Sequence, residues 1–534
     1  MRRNLPAFKA RKPSSAKNTL PKQSDFLARR TSGILLHPTS LPGGHGVGDL
    51  GAGSRRLVDF LHAAKQSIWQ MLPTGPTTRE EADSPYSSFS AFAGNPLLIS
   101  LDDLAKEGLL SKRDISQAVK GISFKKDRVD FALAHKVKSP LLHRAAAAFK
   151  GARVEKLLAQ FIQQHTWVTP FAQFAALRAH FGTPREQWPT ELRYSPKNAP
   201  KARAAAAQKT LNTLTEEIRA EIVIQYLFFK QWGALRDYAL SKGVHLLGDL
   251  PIYISSDSAD VWSYPEYFAL DKESGAPELV SGVPPDLFNS NGQLWGHPIY
   301  NWRAIQKSDF VWWKERFTTL AAMFDIVRVD HFRGFESFWA VPLPAKNAKG
   351  GSWQPCPGKE LFTSVRNHLG DLPIFIEDLG IITPEVHALR EHFNFMGTRV
   401  LQFAFSGDPA GSTKSRHHTV NIPKNSIVYT GTHDNPPTAQ WYGELPEKNR
   451  RKVCGLLNDC KPSEVSHQFI RLAMSSSANL CIFTMQDVLN GGKATRMNLP
   501  GTVSNRNWTW RLTELPSSAA ETLAYFSEIF ERNV

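Results

Sequence analysis

Eight short apolar runs of strand length recur along the chain, and most of them end in polar or acidic residues. Patterns of helical periodicity separate most of these runs, so that strand and helix signals alternate. This alternation predicts parallel βα units, and eight units predict a closed (β/α)8 barrel with the strand-end polar residues on its catalytic face. The runs begin at Ser32, Ser67, His245, Asp325, Pro373, Arg399, Ser426 and Cys481.

The irregular spacing of the runs predicts where the chain leaves the barrel. The second run ends at Pro73 and the third begins only at His245, and another long stretch precedes Asp325. A (β/α)8 barrel needs roughly 250 residues, so the remainder is predicted to form large, mostly helical insertions after strands 2 and 3. The predicted division is a disordered basic lead at 1–31, a catalytic barrel at 32–515 with insertions at about 78–240 and 255–310, and a C-terminal helix at 516–534 packed on the barrel.

Charge changes this picture in one region, the N-terminal lead. The 534 residues carry a formal net charge of +15. Residues 1–30 hold nine Lys or Arg residues against Asp25 alone, so +8 of that charge lies in the lead. Three interpretations stay open for this segment: a solvated arm, a plastid-type transit segment, or a polyanion-binding arm. A secretory signal is not expected, because the lead has no apolar core.

Membrane and extracellular classes are not favoured by the rest of the composition. No uninterrupted apolar stretch approaches 18 residues, so no transmembrane helix is predicted. The cysteines Cys356, Cys454, Cys460 and Cys481 form no CxxC pair and predict a reducing compartment, although a disulfide between Cys454 and Cys460 remains an alternative. We expect a cytoplasmic protein, or a plastid one if the lead is a transit segment.

Two patterns imitate cofactor sites. Residues 46–51 fit GxGxxG, but the long turn at 38–42 spoils the tight strand-to-helix loop that binds a phosphate. The histidines lack zinc spacing, among them His387, His392 and the pair at 417–418. We therefore expect neither a metal nor an organic cofactor.

Three carboxylates follow three of the predicted strands. Asp330, Glu377 and Asp434 would project into one cavity if the barrel forms. Two carboxylates about 5–5.5 Å apart suit retaining glycoside chemistry, one as nucleophile and one as acid/base. Taken singly, each could instead cap a helix or join an ordinary salt bridge.

The neighbours of these carboxylates favour catalysis. Arg328 lies two residues before Asp330, on the same face of the strand, and its charge would keep that carboxylate ionised. Desolvation in an apolar run would raise the pKa of Glu377 toward the range of a working acid. His433, next to Asp434, offers a donor for sugar hydroxyls.

The three blocks together resemble a known family. RVDHFRG at 328–334, IEDLG at 376–380 and GTHDN at 431–435 are similar to the catalytic blocks of the 4-α-glucanotransferases, the amylomaltase or disproportionating-enzyme family (glycoside hydrolase family 77). The resemblance runs in order from about Gly33 to about Arg511. Further similar blocks lie at 36–42, 84–96, 248–253, 283–296 and 496–501.

The resemblance implies specific roles. Asp330 would be the nucleophile, Glu377 the general acid/base and Asp434 the transition-state stabiliser. The enzyme would move a segment of an α-1,4-glucan to the 4-hydroxyl of an acceptor glucan or glucose, without cofactor, nucleic acid or membrane. Arg328 and His433 would contact the sugar in the cleavage subsite, and the glucan groove would be lined by Asp249, Gln293, Trp295 and Asn498.

The chain departs from the family pattern in three places. His45 stands where the family often has an aromatic residue, so that sugar contact should be weaker. The segment TREEAD at 78–83 replaces a more usual GYGD run, and a Pro pair at 436–437 should stiffen the loop after Asn435. An α-glucan hydrolase with the same carboxylates and a catalytically silent glucan-binding protein remain the rival interpretations.

Overall fold

A computed structural model describes residues 27–198, 201–271, 274–285, 289–405, 413–457 and 461–532. Within these residues, eight parallel strands close into a barrel in chain order, each strand pairing with its two neighbours. The predicted (β/α)8 fold is confirmed. The barrel strands are β1 Thr31–Leu35, β2 Ile68–Gln70, β3 His245–Leu250, β6 Ile326–Val329, β9 Ile374–Ile376, β10 Met396–Val400, β11 Ser426–Tyr429 and β12 Leu480–Thr484.

One predicted run is displaced from its strand. The sixth run was predicted to begin at Arg399, whereas β10 spans Met396–Val400 and the apolar residues after it form a 3-10 turn at Leu401–Ala404. Gly397 is the reason, because a Cβ there would lie 2.9 Å from Oδ2 of Asp378. Gly397 therefore lets β10 approach the buried carboxylate of Asp378. Hydrophobic patterning does not reveal this requirement for a small residue.

Helices surround the barrel and fill the first insertion. The helices packed around the strands are α1 Ala52–Ala63, α8 Thr215–Ser241, α11 Val311–Met323, α12 Gly358–Leu369, α13 Pro384–His392, α14 Thr438–Glu444, α15 Glu447–Leu456, α16 Val465–Ser475, α17 Met485–Val488 and α18 Ser517–Ile529. Those of the insertions are α2 Leu101–Lys106, α3 Lys112–Ala118, α4 Phe131–Ala148, α5 Ala152–Gln164, α6 Val168–Phe181, α7 Lys201–Thr213, α9 Ala259–Ser263 and α10 Trp302–Lys307. None of the described helices is long and apolar enough to cross a membrane.

The insertion after β3 differs from the expectation of a mostly helical segment. It contributes two strands to a four-stranded antiparallel sheet of order β5-β4-β7-β8, and a stretch following β6 supplies the other two. The sequence pattern missed this sheet because its strands are short, interrupted by Gly and Pro, and only partly buried. They are β4 Leu279–Val283, β5 Gln293–Pro298, β7 Ser337–Pro342 and β8 Ser352–Pro355.

The C-terminal segment lies against the start of the barrel. In α18, Ser527 accepts a hydrogen bond from Gln66 at 2.9 Å. Just beyond the helix, Arg532 is fully buried. Its guanidinium donates hydrogen bonds of 2.7–3.2 Å to five backbone carbonyls, which lie shortly before β12 or at the first residue of β1. Those carbonyls belong to Thr31, Met474, Ser476, Ala478 and Asn479. The predicted lead lies largely outside the described residues, which begin at Leu27.

The Arg532 cluster generates a stability prediction. We expect Arg532→Met to lower the free energy of unfolding by roughly 2–4 kcal/mol, because several buried carbonyls lose their hydrogen-bond donor. The thermal midpoint of unfolding should therefore fall by several degrees. Arg29→Met, which removes the same charge from an exposed position, is the control. Equal melting of Arg532→Met and the unmodified protein would show that the cluster contributes nothing.

Candidate active site

Three barrel strands deliver polar side chains to one end of the barrel. Asp249 lies near the end of β3, beside Arg328 on β6, and the two residues are register partners. Asp330 and Glu377 directly follow β6 and β9, and the backbone N–H of Glu377 donates to the carbonyl of Val329 at 3.0 Å. The parallel register therefore brings residues far apart in the chain to the same edge.

Arg328 connects three carboxylates. Its Nη1 lies 2.6 Å from Oδ2 of Asp249 and 2.8 Å from Oδ1 of Asp330, and its Nη2 lies 3.0 Å from Oε2 of Glu377. The guanidinium is only 8% exposed. Burial lowers the pKa of Arg328, but the charges of Asp249 and Asp330 outweigh it and raise that pKa well above the ordinary value. Arg328 is therefore a permanent cation of the site.

Asp330 and Glu377 both contact Arg328, and their pKa values shift in opposite directions. Burial, together with the charges of Glu377 and Asp249, raises the pKa of Asp330 well above its ordinary value. Burial also acts to raise the pKa of Glu377, but the charge of Arg328 and the backbone N–H of His331 lower it. Burial and the neighbouring charges thus favour the protonated form of Asp330 and the charged form of Glu377.

The sequence predicted a raised pKa for Glu377, but in the structure the pKa of Glu377 is lowered. The charge of Arg328 lowers the pKa of Glu377 most, and a donor that sequence patterning did not reveal adds to the effect: the amide of His331 donates to Oε2 of Glu377 at 2.9 Å. His331 has a left-handed backbone with φ 44°, which turns the chain sharply after Asp330 and aims that amide at the neighbouring strand. Of the two carboxylates, which are equally exposed, Glu377 is thus the one whose charged form is better stabilised.

Asp434 occupies a separate, more open position. Its Oδ1 accepts a hydrogen bond from Asn498 at 2.6 Å and lies 3.5 Å from Nε2 of His433. The guanidinium of Arg496 holds its backbone carbonyl at 3.0 Å. The Asp434 side chain is 45% exposed, in contrast to the buried Arg328 cluster. It is therefore a fixed carboxylate that a ligand can reach.

Tyr86 joins these two parts of the site, and the sequence analysis assigned it no role. Its hydroxyl donates to Oδ2 of Asp249 at 2.7 Å, and its ring stacks on His433 with centroids 5.3 Å apart. Burial raises the pKa of Tyr86 well above its ordinary value, and the charges of Asp249, Asp330 and Asp434 add to the rise. The available signal was its place in the SPY motif at 84–86, inside one of the family-like blocks.

Gln293 and Trp295 reach the site from the antiparallel sheet. Both lie on β5, where Nε1 of Trp295 donates to the Gln293 side chain at 3.3 Å. The Trp295 ring meets the His331 ring edge-on at 4.8 Å. The sheet is thus in contact with the residue that follows Asp330, and the predicted groove has an aromatic wall there.

Two predicted sugar-binding residues lie differently. The side chain of Asp249 has no exposed surface, because Arg328 and Tyr86 cover its carboxylate. His45 lies beside Asp102 at 3.4 Å, and its contacts among the described residues do not include the carboxylate cluster. Direct glucan contact by either residue stays a prediction. Within the described residues, no group of three or more His, Cys, Asp or Glu side chains is arranged to hold a metal ion.

Comparison with known proteins agrees with this geometry. The family model described as 4-alpha-glucanotransferase matches residues 36–517. The 4-alpha-glucanotransferase of Synechocystis sp. is 44% identical over 518 residues, which is 95% of this chain and 99% of the relative. The chloroplastic/amyloplastic 4-alpha-glucanotransferase of Solanum tuberosum is 40% identical over 97% of this chain and 87% of its own length.

A solved structure leads to the same family. The amylomaltase from Streptococcus agalactiae, solved in complex with acarbose, superposes with a TM-score of 0.88 at 37% identity and covers 95% of this chain and 100% of its own. The residues matched by the family model, 36–517, contain all three strand-end carboxylates and every barrel strand except β1. The chain belongs to the 4-alpha-glucanotransferase family of transferases.

Proposed function

We propose that the protein transfers a segment of an α-1,4-glucan to the 4-hydroxyl of an acceptor glucan or glucose, with retention of the α configuration. The observation that carries this is that Asp330 and Glu377 both contact the guanidinium of Arg328, at 2.8 Å from Nη1 and 3.0 Å from Nη2. An inverting enzyme needs carboxyl groups about 6.5–9.5 Å apart to admit a water between them, whereas a retaining enzyme needs them close together. Two carboxylates held on one guanidinium favour the second geometry.

The first displacement uses both members of the pair. Asp330 attacks the anomeric carbon, and Glu377 donates a proton to the glycosidic oxygen as that bond breaks. A glucosyl ester forms on Asp330, and the leaving glucan departs with the proton as its new 4-hydroxyl. The sugar must separate the two carboxyl groups on entry, and Arg328 then keeps the negative charge on Asp330 because it stays within 2.8 Å.

The second displacement reverses the first. Glu377, now a carboxylate, takes the proton from the 4-hydroxyl of the incoming glucan, whose oxygen attacks the ester carbon. The ester bond to Asp330 breaks, and the two inversions together retain the α configuration. The transition state is positive at the sugar ring, so the fixed carboxylate of Asp434 lowers its free energy electrostatically.

The choice of transfer over hydrolysis rests on the acceptor side of the site. Water competes for the ester, so a sugar acceptor must be held well and water limited. Trp295, packed on His331 beside the nucleophile, supplies an aromatic wall at that point. The names of the relatives, 4-alpha-glucanotransferase in each case reported above, favour the same choice.

We place the reaction in the cytoplasm, and in the plastid if residues 1–30 act as a transit segment. The relatives from Synechocystis sp. and from Solanum tuberosum illustrate the two settings, since only the second is described as chloroplastic/amyloplastic. The basic lead supports the plastid alternative by its composition alone.

Products from maltotriose test the reaction class. We expect a ladder of shorter and longer oligosaccharides over time, and Asp330→Asn should reduce turnover by about a thousandfold or more because no ester can form. Asp237→Asn, the same change at an exposed position of α8, is the matched control and should behave as the unmodified protein. Formation of glucose and maltose without longer products would identify a hydrolase instead.

The pH profile tests the shared proton. Activity needs one proton on the Asp330 and Glu377 pair, so kcat/KM should fall at low pH when a second proton binds and at high pH when the shared proton leaves. The charge of Asp249 helps to raise the pKa of Asp330. Replacing it in Asp249→Asn should therefore move the alkaline limb to lower pH. An alkaline limb that stays in place or moves upward would contradict the assigned coupling.

A further inference from the structure

Trp353 is an unusual tryptophan in this chain. All 14 tryptophans fall within the described residues, and Trp353 alone is more than a third exposed, at 37%. It lies on β8, the outer strand of the antiparallel sheet. A large apolar side chain kept at the surface in a fixed position is typical of a binding site, because folding alone would favour its burial.

Neighbouring side chains hold the Trp353 ring in place. The guanidinium carbon of Arg333 lies 3.9 Å from the ring centroid, a close cation–π contact. Trp339, its register partner on β7, meets it edge-on with centroids 5.3 Å apart. Arg333 is itself fixed, since its Nη1 donates to the carbonyl of Ile381 at 2.6 Å. The indole is therefore oriented before any ligand arrives.

The position of Trp353 relates it to the reacting centre. Arg333 follows Asp330 by three residues, a separation that spans at most about 10 Å of extended chain. Ile381 follows Glu377 by four residues and is 60% exposed. Trp353 thus lies on the side of the barrel opening where the segments after β6 and β9 meet. Ile381 is a second exposed apolar residue on that side.

The same sheet reaches the site at its other edge. Trp295 is on β5 and Trp353 on β8, three strand spacings apart in the order β5-β4-β7-β8, or about 14 Å. Trp295 contacts His331 beside the nucleophile. The register places Leu294, not Trp295, on the sheet face that carries Trp353, so a glucan reaches Trp353 from the side of Arg333 and Ile381.

We propose that Trp353, backed by Arg333 and flanked by Ile381, is a remote subsite that binds a glucose unit of a long α-1,4-glucan by stacking. This rests on the proposed function. A sugar ring has an apolar C–H face, and an indole is the side chain best suited to cover it. Arg333 covers one side of the indole and offers additional N–H groups at the rim for sugar hydroxyls. The subsite selects for chain length, since short substrates do not reach it.

Chain-length dependence tests this subsite. For Trp353→Ala we expect the KM for maltoheptaose in disproportionation to rise about tenfold, the value of roughly one lost stacking contact, with kcat unchanged. The KM for maltotriose should not change. Trp353→Phe should restore most of the affinity for maltoheptaose. Tyr525→Ala, at a 60% exposed aromatic residue of α18, is the control and should change neither KM.

Folding and direct binding are measured on the same variants. Trp353→Leu keeps an apolar cover over Arg333 without an aromatic face, so it replaces Trp353→Ala if the alanine variant melts early or does not fold. Calorimetric titration of maltoheptaose into Asp330→Asn with and without the Trp353 change should show about tenfold weaker binding in the double variant.

Two results would overturn the subsite. One is an unchanged KM for maltoheptaose in the folded Trp353 variants. If the oligomeric state of these variants changes while that KM does not, the surface is an interface between copies of the chain and not a subsite. The other is an equal rise in KM for both substrates, which would place Trp353 in the cleavage region. Failure of the unmodified protein to form longer products from maltotriose would instead contradict the proposed function itself.

Discussion

The site is organised by one buried cation that faces three carboxylates. Arg328 is held at 2.6–3.0 Å from Asp249, Asp330 and Glu377, and its guanidinium is almost sealed from water. Burial raises the pKa of Asp330 well above its ordinary value, and one positive charge among three negative ones does not cancel that rise. Under the proposed function, a carboxyl group that readily holds a proton serves the acid/base chemistry at the glycosidic bond. The electrostatic imbalance is thus a property of the barrel register, since neighbouring strands place these groups side by side.

Much of the fold and the site follows from the sequence because the signals are local. Strand-length apolar runs alternating with helical periodicity predict the barrel, and the strand ends point to Asp330, Glu377 and Asp434. The antiparallel sheet escaped prediction because its strands are short and half-exposed, so their patterns resemble loops. The start of β10 escaped it too, because Gly397 is chosen for its approach to Asp378 rather than for hydrophobicity.

The site features that the sequence did not show depend on contacts across the chain. Tyr86 lies 163 residues before Asp249, and only folding brings its hydroxyl to that carboxylate. The lowered pKa of Glu377 has the same origin, because the Arg328 guanidinium and the His331 amide that stabilise its charge belong to another segment. A sequence indicates which side chains can ionise, but the partner that decides the direction of a pKa shift is a property of three-dimensional packing.

His331 shows how the barrel and the sheet act on one reaction. Its backbone N–H stabilises the charged form of Glu377, while its ring packs against Trp295 on the sheet. Burial lowers the pKa of the His331 imidazole to about 4, so the ring is neutral and adds no charge to a cluster already unbalanced. Under the proposed function, a sugar that contacts Trp295 therefore acts on the segment that influences the proton affinity of Glu377. Acceptor binding and acid/base catalysis then share this single turn of chain, which the left-handed backbone at His331 makes possible.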